Sequence, residues 1–390
     1  MGQDPRLAHG ASLSCVTTPE GGCRASVRLL SSCNSRRAAV MPRGNWFVTL
    51  SALSLWAGPQ AAQAQPLAYI THGDFVSIVD TAQNNVEDVV VTGNCATGVA
   101  VSPDGAEVFV TNTCDDTVSI LDTASNELVA TIPVGLTPVG VAVSPDGTHA
   151  YIANQDGDTM SVLETQTDTI VATIAMGDRP CGIAVSPDNR RVYLAERNSV
   201  ALIDTATNTV VDRVETGNGS FGVAVSPNGA FVYITNNVDG TMSVLDSATN
   251  SIVATVPVGA GPLGVATGSN GNRIYVANGP DRTVSVVDAL LNQVIDTIPV
   301  GSFPFGLGVN PLTNHIYVAV RNDNALEVID SAKGIVVDSI PLEGYATAFG
   351  LFMSPVPVPI TEIPSVSPAG LLTLTLLLTG LAVRRLRRRT

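Results

Sequence analysis

The stretch Gly98-Val99-Ala100-Val101-Ser102-Pro103-Asp104-Gly105 returns as Gly140-Val141-Ala142-Val143-Ser144-Pro145-Asp146-Gly147, 42 residues later. Looser copies begin at Gly182, Gly222, Gly264, Gly306 and Gly350, so successive spacings are 42, 42, 40, 42, 42 and 44. A fixed period of this size marks a repeat architecture, each unit being one supersecondary element. Three further runs keep step with the first. One is centred on Tyr or Phe (residues 68–71, 108–112 and 150–154), the next resembles residues 76–80 or 326–330, and the last resembles 128–135 or 294–301. All are of strand length and bounded by turn chemistry. Ser-Pro-Asp-Gly supplies a Pro with preset φ and a Gly that tolerates positive φ.

Four such runs per unit predict an all-β fold, a seven-bladed β-propeller of four-stranded antiparallel blades. Blades stack face to face, so their strands should read as nearly continuous apolar text, and they do. The first run alternates tiny and medium side chains, as the crowded axis requires of an innermost strand. Asp122, Asp204, Asp246, Asp288 and Asp330 end the third run, where a carboxylate can accept from the following turn. The text opens on a second-strand type at residues 68–71 and ends on a lone first-strand type at 350–355. N-terminal strands plus one C-terminal strand therefore close the ring, leaving no free sheet edge at the joint. Residues 66–359 number 294, room for seven units of about 42. Composition agrees: of 390 residues 45% are hydrophobic and 35 are Gly, which excludes disorder, while heptads and a Gly every third residue are absent.

The ends read differently. Residues 41–64 look like a secretory signal, with Arg43, an apolar stretch over 46–57 and Ala62-Gln63-Ala64 for cleavage after Ala64. Residues 1–40 are then an upstream extension of a chain starting at Met41, or a long n-region of the signal. Residues 360–390 read as linker, sorting motif, membrane helix and Arg cluster. The apolar segment 369–383 would form about 22 Å of helix at ~1.5 Å per residue, short of a ~30 Å hydrocarbon core unless the flanking arginines snorkel. Arg384, Arg385, Arg387, Arg388 and Arg389 place its end on the cytoplasmic side, and the main domain outside the inner membrane.

Two resemblances follow from these residues. Phe109-Val110-Thr111-Asn112 and Tyr233-Ile234-Thr235-Asn236 resemble the YVTN family of β-propeller repeats, over essentially all of 66–359. That resemblance implies a seven-bladed, secreted or cell-surface protein similar to surface-layer propellers and to the propeller part of cytochrome d1-type nitrite reductases. The tail, with Ile363, Pro364, Ser367, Pro368 and Gly370, resembles the Ile-Pro-Thr-Leu type of carboxy-terminal sorting signal. It departs at Ser365 and Val366, where the family has Thr and Leu. This resemblance implies an exosortase-like processing machinery as partner, with a plain membrane anchor as the other reading.

Function is less legible. Residues 66–359 hold nine basic and 31 acidic residues, so the basic footprint of a nucleic-acid binder is missing. Cys95 and Cys114 fall in turns on one rim of one blade, and an oxidising compartment would let them pair, closing a loop worth roughly 3 kcal/mol; separate thiols are the alternative. Cys181 is left over as small core packing. His72, His149 and His315 recur in no pattern, the innermost strands carry no His, Asp or Glu, and no Cys-x-x-Cys-His is present, so no metal ligand and no cofactor is assigned. Asn154-Gln155-Asp156-Gly157-Asp158-Thr159 has a Ca²⁺-like flavour, but Asp116, Asp239 and Asp281 recur at the same turn, which favours Asx turns. No Gly-x-Ser-x-Gly elbow offers a catalytic nucleophile. The loops entering the first strands gather on one rim, and Asp178, Arg179, Asn218, Phe303, Phe305 and Tyr345 are their ligand candidates. The expected function is an exported, monomeric, cell-envelope or surface scaffold that binds a protein or small molecule. The alternatives are a hydrolase or lyase with a rim site using a divalent metal, and electron transfer through a non-covalent haem.

Overall fold

The computed structural model describes residues 12–17, 23–28, 66–350 and 352–354. The signal and its Ala64, the tail with Ile363, Pro364, Ser367, Pro368 and Gly370, and residues 355–359 lie outside the described residues. Ser12–Thr17 pairs antiparallel with Cys23–Arg28 in a unit of its own. The remainder is a ring of seven sheets. Blade 1 holds Leu67–His72, Phe75–Asp80 and Asn85–Val91. Blades 2 to 7 are four-stranded and cover residues 96–133, 138–175, 183–215, 220–257, 262–299 and 304–341. Every strand pairs antiparallel with its sequence neighbour, and each third strand meets the fourth through a register shift, such as that between Ile120 and Leu121.

The missing strand of blade 1 comes from the C-terminal end. Met353 bridges Ala68 antiparallel, the Tyr69 N–H donates to the Phe352 carbonyl at 2.8 Å, and the Ser354 N–H donates to the Leu67 carbonyl at 2.8 Å. Across the same joint, the Tyr317 hydroxyl of blade 7 donates to Asn84 Oδ1 of blade 1 at 2.9 Å. Tyr69, Phe352 and Tyr317 share one buried cluster with residues of blades 1, 2 and 7.

Second and third strands are buried almost end to end, as in Val108–Thr111 and Val118–Leu121. Each second strand contributes one buried ring: Tyr69, Phe109, Tyr151, Tyr193, Tyr233, Tyr275 or Tyr317. The fourth strands depart from the apolar-on-both-faces expectation. Thr169–Ala175 alternates exposed and half-buried residues along its whole length. At the circumference the wedges diverge, so neighbouring blades no longer cover those faces.

The name-giving Asn of the second strand is a buried structural amide. Asn112 Nδ2 donates to Thr117 Oγ1 and Ser119 Oγ at 2.9 Å, while its Oδ1 accepts the Gly93 N–H at 3.0 Å. Asn236 and Asn278 repeat this set. Blade 4 fills the slot with buried Glu196, which accepts from Gly177 and Ser199 and pairs with Arg213 at 3.1 Å. Blade 1 fills it with His72, whose Nε2 lies 2.7 Å from Ser77 Oγ and whose Nδ1 has no partner.

Two outcomes follow. A Cβ built on Gly140 would stand 2.1 Å from the Cys181 carbonyl oxygen. Gly140→Ala should therefore destabilise the ring by about 1–3 kcal/mol or more, read as a lower denaturant midpoint. Burial pushes the His72 pKa below its ordinary value against the opposing pull of Glu343. The unfolded chain then takes up the proton first, so this contribution is full above about pH 6.5 and is lost as pH falls from there through the folded value. Tm should drop between about pH 7 and pH 5, and His72→Asn should flatten that slope.

Candidate functional site

The front face of the ring gathers the loops that enter the first strands and the turns between second and third strands. Seven residues precede the innermost glycines: Thr97, Val139, Cys181, Phe221, Leu263, Phe305 and Phe349. Val139, Leu263, Phe305 and Phe349 form a buried cluster with Phe221 and Phe303 packed against it. The ring centroids of Phe221 and Phe349 are 5.0 Å apart, those of Phe221 and Phe305 5.9 Å, and those of Phe305 and Phe349 6.0 Å, in tilted and edge-to-face contacts that suit aromatic quadrupoles. The Arg321 guanidinium carbon lies 5.9 Å from the Phe305 centroid. An apolar plug thus closes the axis at the front.

Around this plug, the carboxylates of the turns accept backbone N–H groups from the loops. Asp116 accepts from Thr137 at 2.8 Å and Asp158 from Arg179 at 3.0 Å, each tying one blade to the next. Asp239 accepts from Asn218 at 2.8 Å and Asp281 from Ala260 at 2.6 Å within their own blades. These bonds reach 21 residues along the chain, so the acids at this turn are loop-to-loop ties where the sequence suggests local Asx turns. Hydrogen bonds from the Asn218 backbone and side chain hold Asp239 below the usual carboxylate range. The Asp residues at the ends of the third strands do serve their own turns, as where Asp122 accepts from the Ser125 N–H at 2.8 Å.

The six ligand candidates separate into different roles. Phe305 is a member of the buried plug, and Phe303 packs on it. Asp178 pairs with Arg197 at 3.1 Å, both exposed. Arg179 donates to Gln155 Oε1 at 3.0 Å. Asn218 is bonded through both its backbone and side-chain N–H to Asp239. Tyr345 is 62% exposed. No hydrogen bond or ring contact among the described residues joins Asp178, Asn218 and Tyr345 to one another.

A feature invisible to motif reading unites two of them. One position in the entering loop of each of blades 2 to 7 has left-handed backbone: Gly219 and Gly261 in blades 5 and 6, but Cys95 (φ 59°), Thr137 (56°), Arg179 (57°) and Phe303 (64°) in the other four. Glycine adopts this conformation freely, whereas an L side chain pays roughly 1–2 kcal/mol.

Cys95 is joined to Cys114, with Cα atoms 5.4 Å apart. Cys181 is buried beside Gln155 Nε2, and burial pushes its thiol up to about 11, which leaves it unreactive at neutral pH. Arginine pairing is concentrated on blade 4 and its entering loop: Arg190 with Asp188, Arg191 with Asp204, Arg197 with Asp178, and Arg213 with Glu196.

A family model described as the cytochrome D1 heme domain matches residues 152–335, and one described as the seven-bladed β-propeller lactonase matches residues 67–173. The chain is a β-propeller protein. No curated protein matches it in sequence. Among solved structures it is similar to hydrazine synthase of Kuenenia stuttgartiensis, with TM-score 0.61, 20% identity, and coverage of 66% of this chain and 89% of that one. A functionally unknown protein of Desulfotomaculum acetoxidans gives TM-score 0.65 and 18% identity over 74% of this chain and 98% of that one. The dihydro-heme d1 dehydrogenase NirN, in complex with DHE, gives 0.57 and 17% over 72% of this chain and 64% of that one. At these identities the likeness is one of fold.

The residues present do not fit a haem on the propeller axis. Three phenylalanines occupy its front end. His72 is buried against Ser77, while His149 begins and His315 immediately precedes a second strand at the opposite, back face. Reducing the Cys95–Cys114 bond, or changing Cys114→Ser, should cost about 3 kcal/mol, measured as a lower Tm in dithiothreitol.

Proposed function

We propose that this propeller is an exported cell-envelope scaffold whose front rim is a rigid binding surface, with no chemical step of its own. The carrying observation is that Arg179 and Phe303 hold left-handed backbone where two other blades use glycine. Strain kept at a variable rim position is a mark of function, because a loop without a task would relax to Gly or Asn. Leu136, Val238 and Tyr345 add exposed apolar surface to the same rim, 56%, 74% and 62% open. Fixed N–H donors on the rim carboxylates favour recognition over proton transfer: Asp115 and Asp239 are held ionised by the Asn94 and Asn218 bonds. The Cys95–Cys114 bond fits an oxidising compartment, in keeping with export through residues 41–64 and tethering or processing through 363–390.

Arg179→Gly should keep or raise Tm, whereas Phe303→Gly gives up packing on the plug and should lower it; both should lose capture of the envelope partner that the wild-type protein crosslinks. Retained capture by both variants, or recovery of the protein in the cytoplasm with alkylatable Cys95 and Cys114, would overturn this reading.

A further inference from the structure

Behind the plug, the innermost strands enclose an axial well that opens on the back face. Its volume is about 560 Å³, within the range of small-molecule sites. Phe349 belongs both to the plug and to the lining of the well, so the plug is its floor. The walls are Gly, Ala, Val, Ile, Leu, Met and Pro, with four hydroxyl residues and no charged side chain. Ala142, Ala184, Ala224 and Ala266 are half-buried although they sit on innermost strands, so their free surface faces this space.

Three of the four hydroxyls are already engaged. Ser102 donates to Asp104 and accepts the Glu107 N–H, Ser226 does the same with Asn228 and Phe231, and Ser354 accepts the Leu67 N–H. The fourth, Thr267, occupies the position held by Val101, Val143, Val185, Val225 and Val309 in other blades. It is the one polar departure in a ring of valines. At the mouth, Pro103, Pro145 and Pro187 are followed by Asp104, Asp146 and Asp188. Hydrogen bonds from Ser102 and Ser186 hold Asp104 and Asp188 below the usual carboxylate range. Arg190 offsets Asp188, and Asp104 and Asp146 leave the mouth net negative, so an anion would be repelled there and then lose its hydration against an uncharged wall.

We propose that the back well binds a compact, uncharged, mainly apolar molecule with one hydrogen-bonding group set against Thr267. The site is separate from the front rim, which the plug screens from it.

The test uses the purified full chain and two probes that share one aromatic body: neutral N-phenyl-naphthylamine and its anionic analogue anilinonaphthalene sulfonate. The neutral probe should bind saturably, one per chain, and at least tenfold more tightly than the sulfonate. Ala224→Leu with Ala266→Leu, which fills the well, should weaken it at least tenfold at unchanged Tm. Thr267→Val should weaken it severalfold, and Arg179→Gly should leave it unchanged. Failure of saturable binding, equal binding of the sulfonate, or binding untouched by the two leucines in a folded variant overturns the site. An unchanged Kd in Thr267→Val overturns the hydrogen-bond assignment. A loss in Arg179→Gly would place the probe on the front rim instead.

Discussion

The ring exists because the backbone of each innermost strand reaches the next one where a side chain would otherwise stand. A Cβ on Gly98, Gly140, Gly182, Gly222 or Gly264 would meet a carbonyl oxygen of the neighbouring blade at 2.1, 2.1, 2.1, 2.3 and 2.7 Å, and Gly306 is closer still to Ala348. Real side chains do not tolerate such approaches, so glycine at one register per blade sets how tightly seven wedges can crowd an axis. Where the contact is close enough, the strands bond across it: Gly182 N–H donates to the Phe221 carbonyl at 2.9 Å, and Val99 N–H to the Phe349 carbonyl at 2.9 Å. The ring is therefore held at its hub by backbone and at mid-radius by the buried Tyr and Phe of the second strands.

That constraint also decides what the hub can do. The residue before each glycine is the last side chain that can reach the axis from the front. In blades 5, 7 and 1 it is Phe, and three rings are enough to fill the hole. Behind that register the lining is mostly Gly, Ala, Val and Pro, with Ile183, Leu307 and Met353 as its larger side chains, so space reopens and the well forms. A variable position next to an invariant geometric demand thus divides one channel into a closed front and an open back.

Blade number, closure and the Cys95–Cys114 pairing were readable because they depend on period, on the types of the terminal strands and on which turns share a rim. All of these are properties of spacing. The roles of the rim residues were not readable, because they depend on partners 21 residues away whose direction is set by loop twist. Asp158 looks like half of a turn motif until Arg179 N–H is seen above it. Phe305 reads as a rim residue from its neighbours Pro304 and Gly306, but the wedge geometry turns its ring inward. The fourth strands misled for a related reason: their composition matches the inner runs, and only their radius exposes them.

Blade 4 shows how the repeat tolerates change when the geometry is kept. Its unit is two residues shorter, and Glu196 replaces the buried Asn of its neighbours. The carboxylate accepts the same loop N–H, from Gly177, that the amide oxygen accepts elsewhere, but it brings a charge into a buried slot. Arg213 on the outer strand answers that charge, and Ser199 supplies the remaining hydrogen bond. An uncompensated buried carboxylate would be strongly destabilising, so the substitution at 196 makes sense only together with Arg213. The buried slot thus admits a charge where a neighbouring strand supplies the counter-charge, and in blade 7, where Val320 occupies it, Glu327 of the third strand accepts the Gly301 N–H instead. In blade 1 the slot holds His72, where one ring nitrogen satisfies Ser77 and the other is left without a partner. That nitrogen sits at the joint between the first blade and the last, the one place where the chain must hold together two segments far apart in sequence.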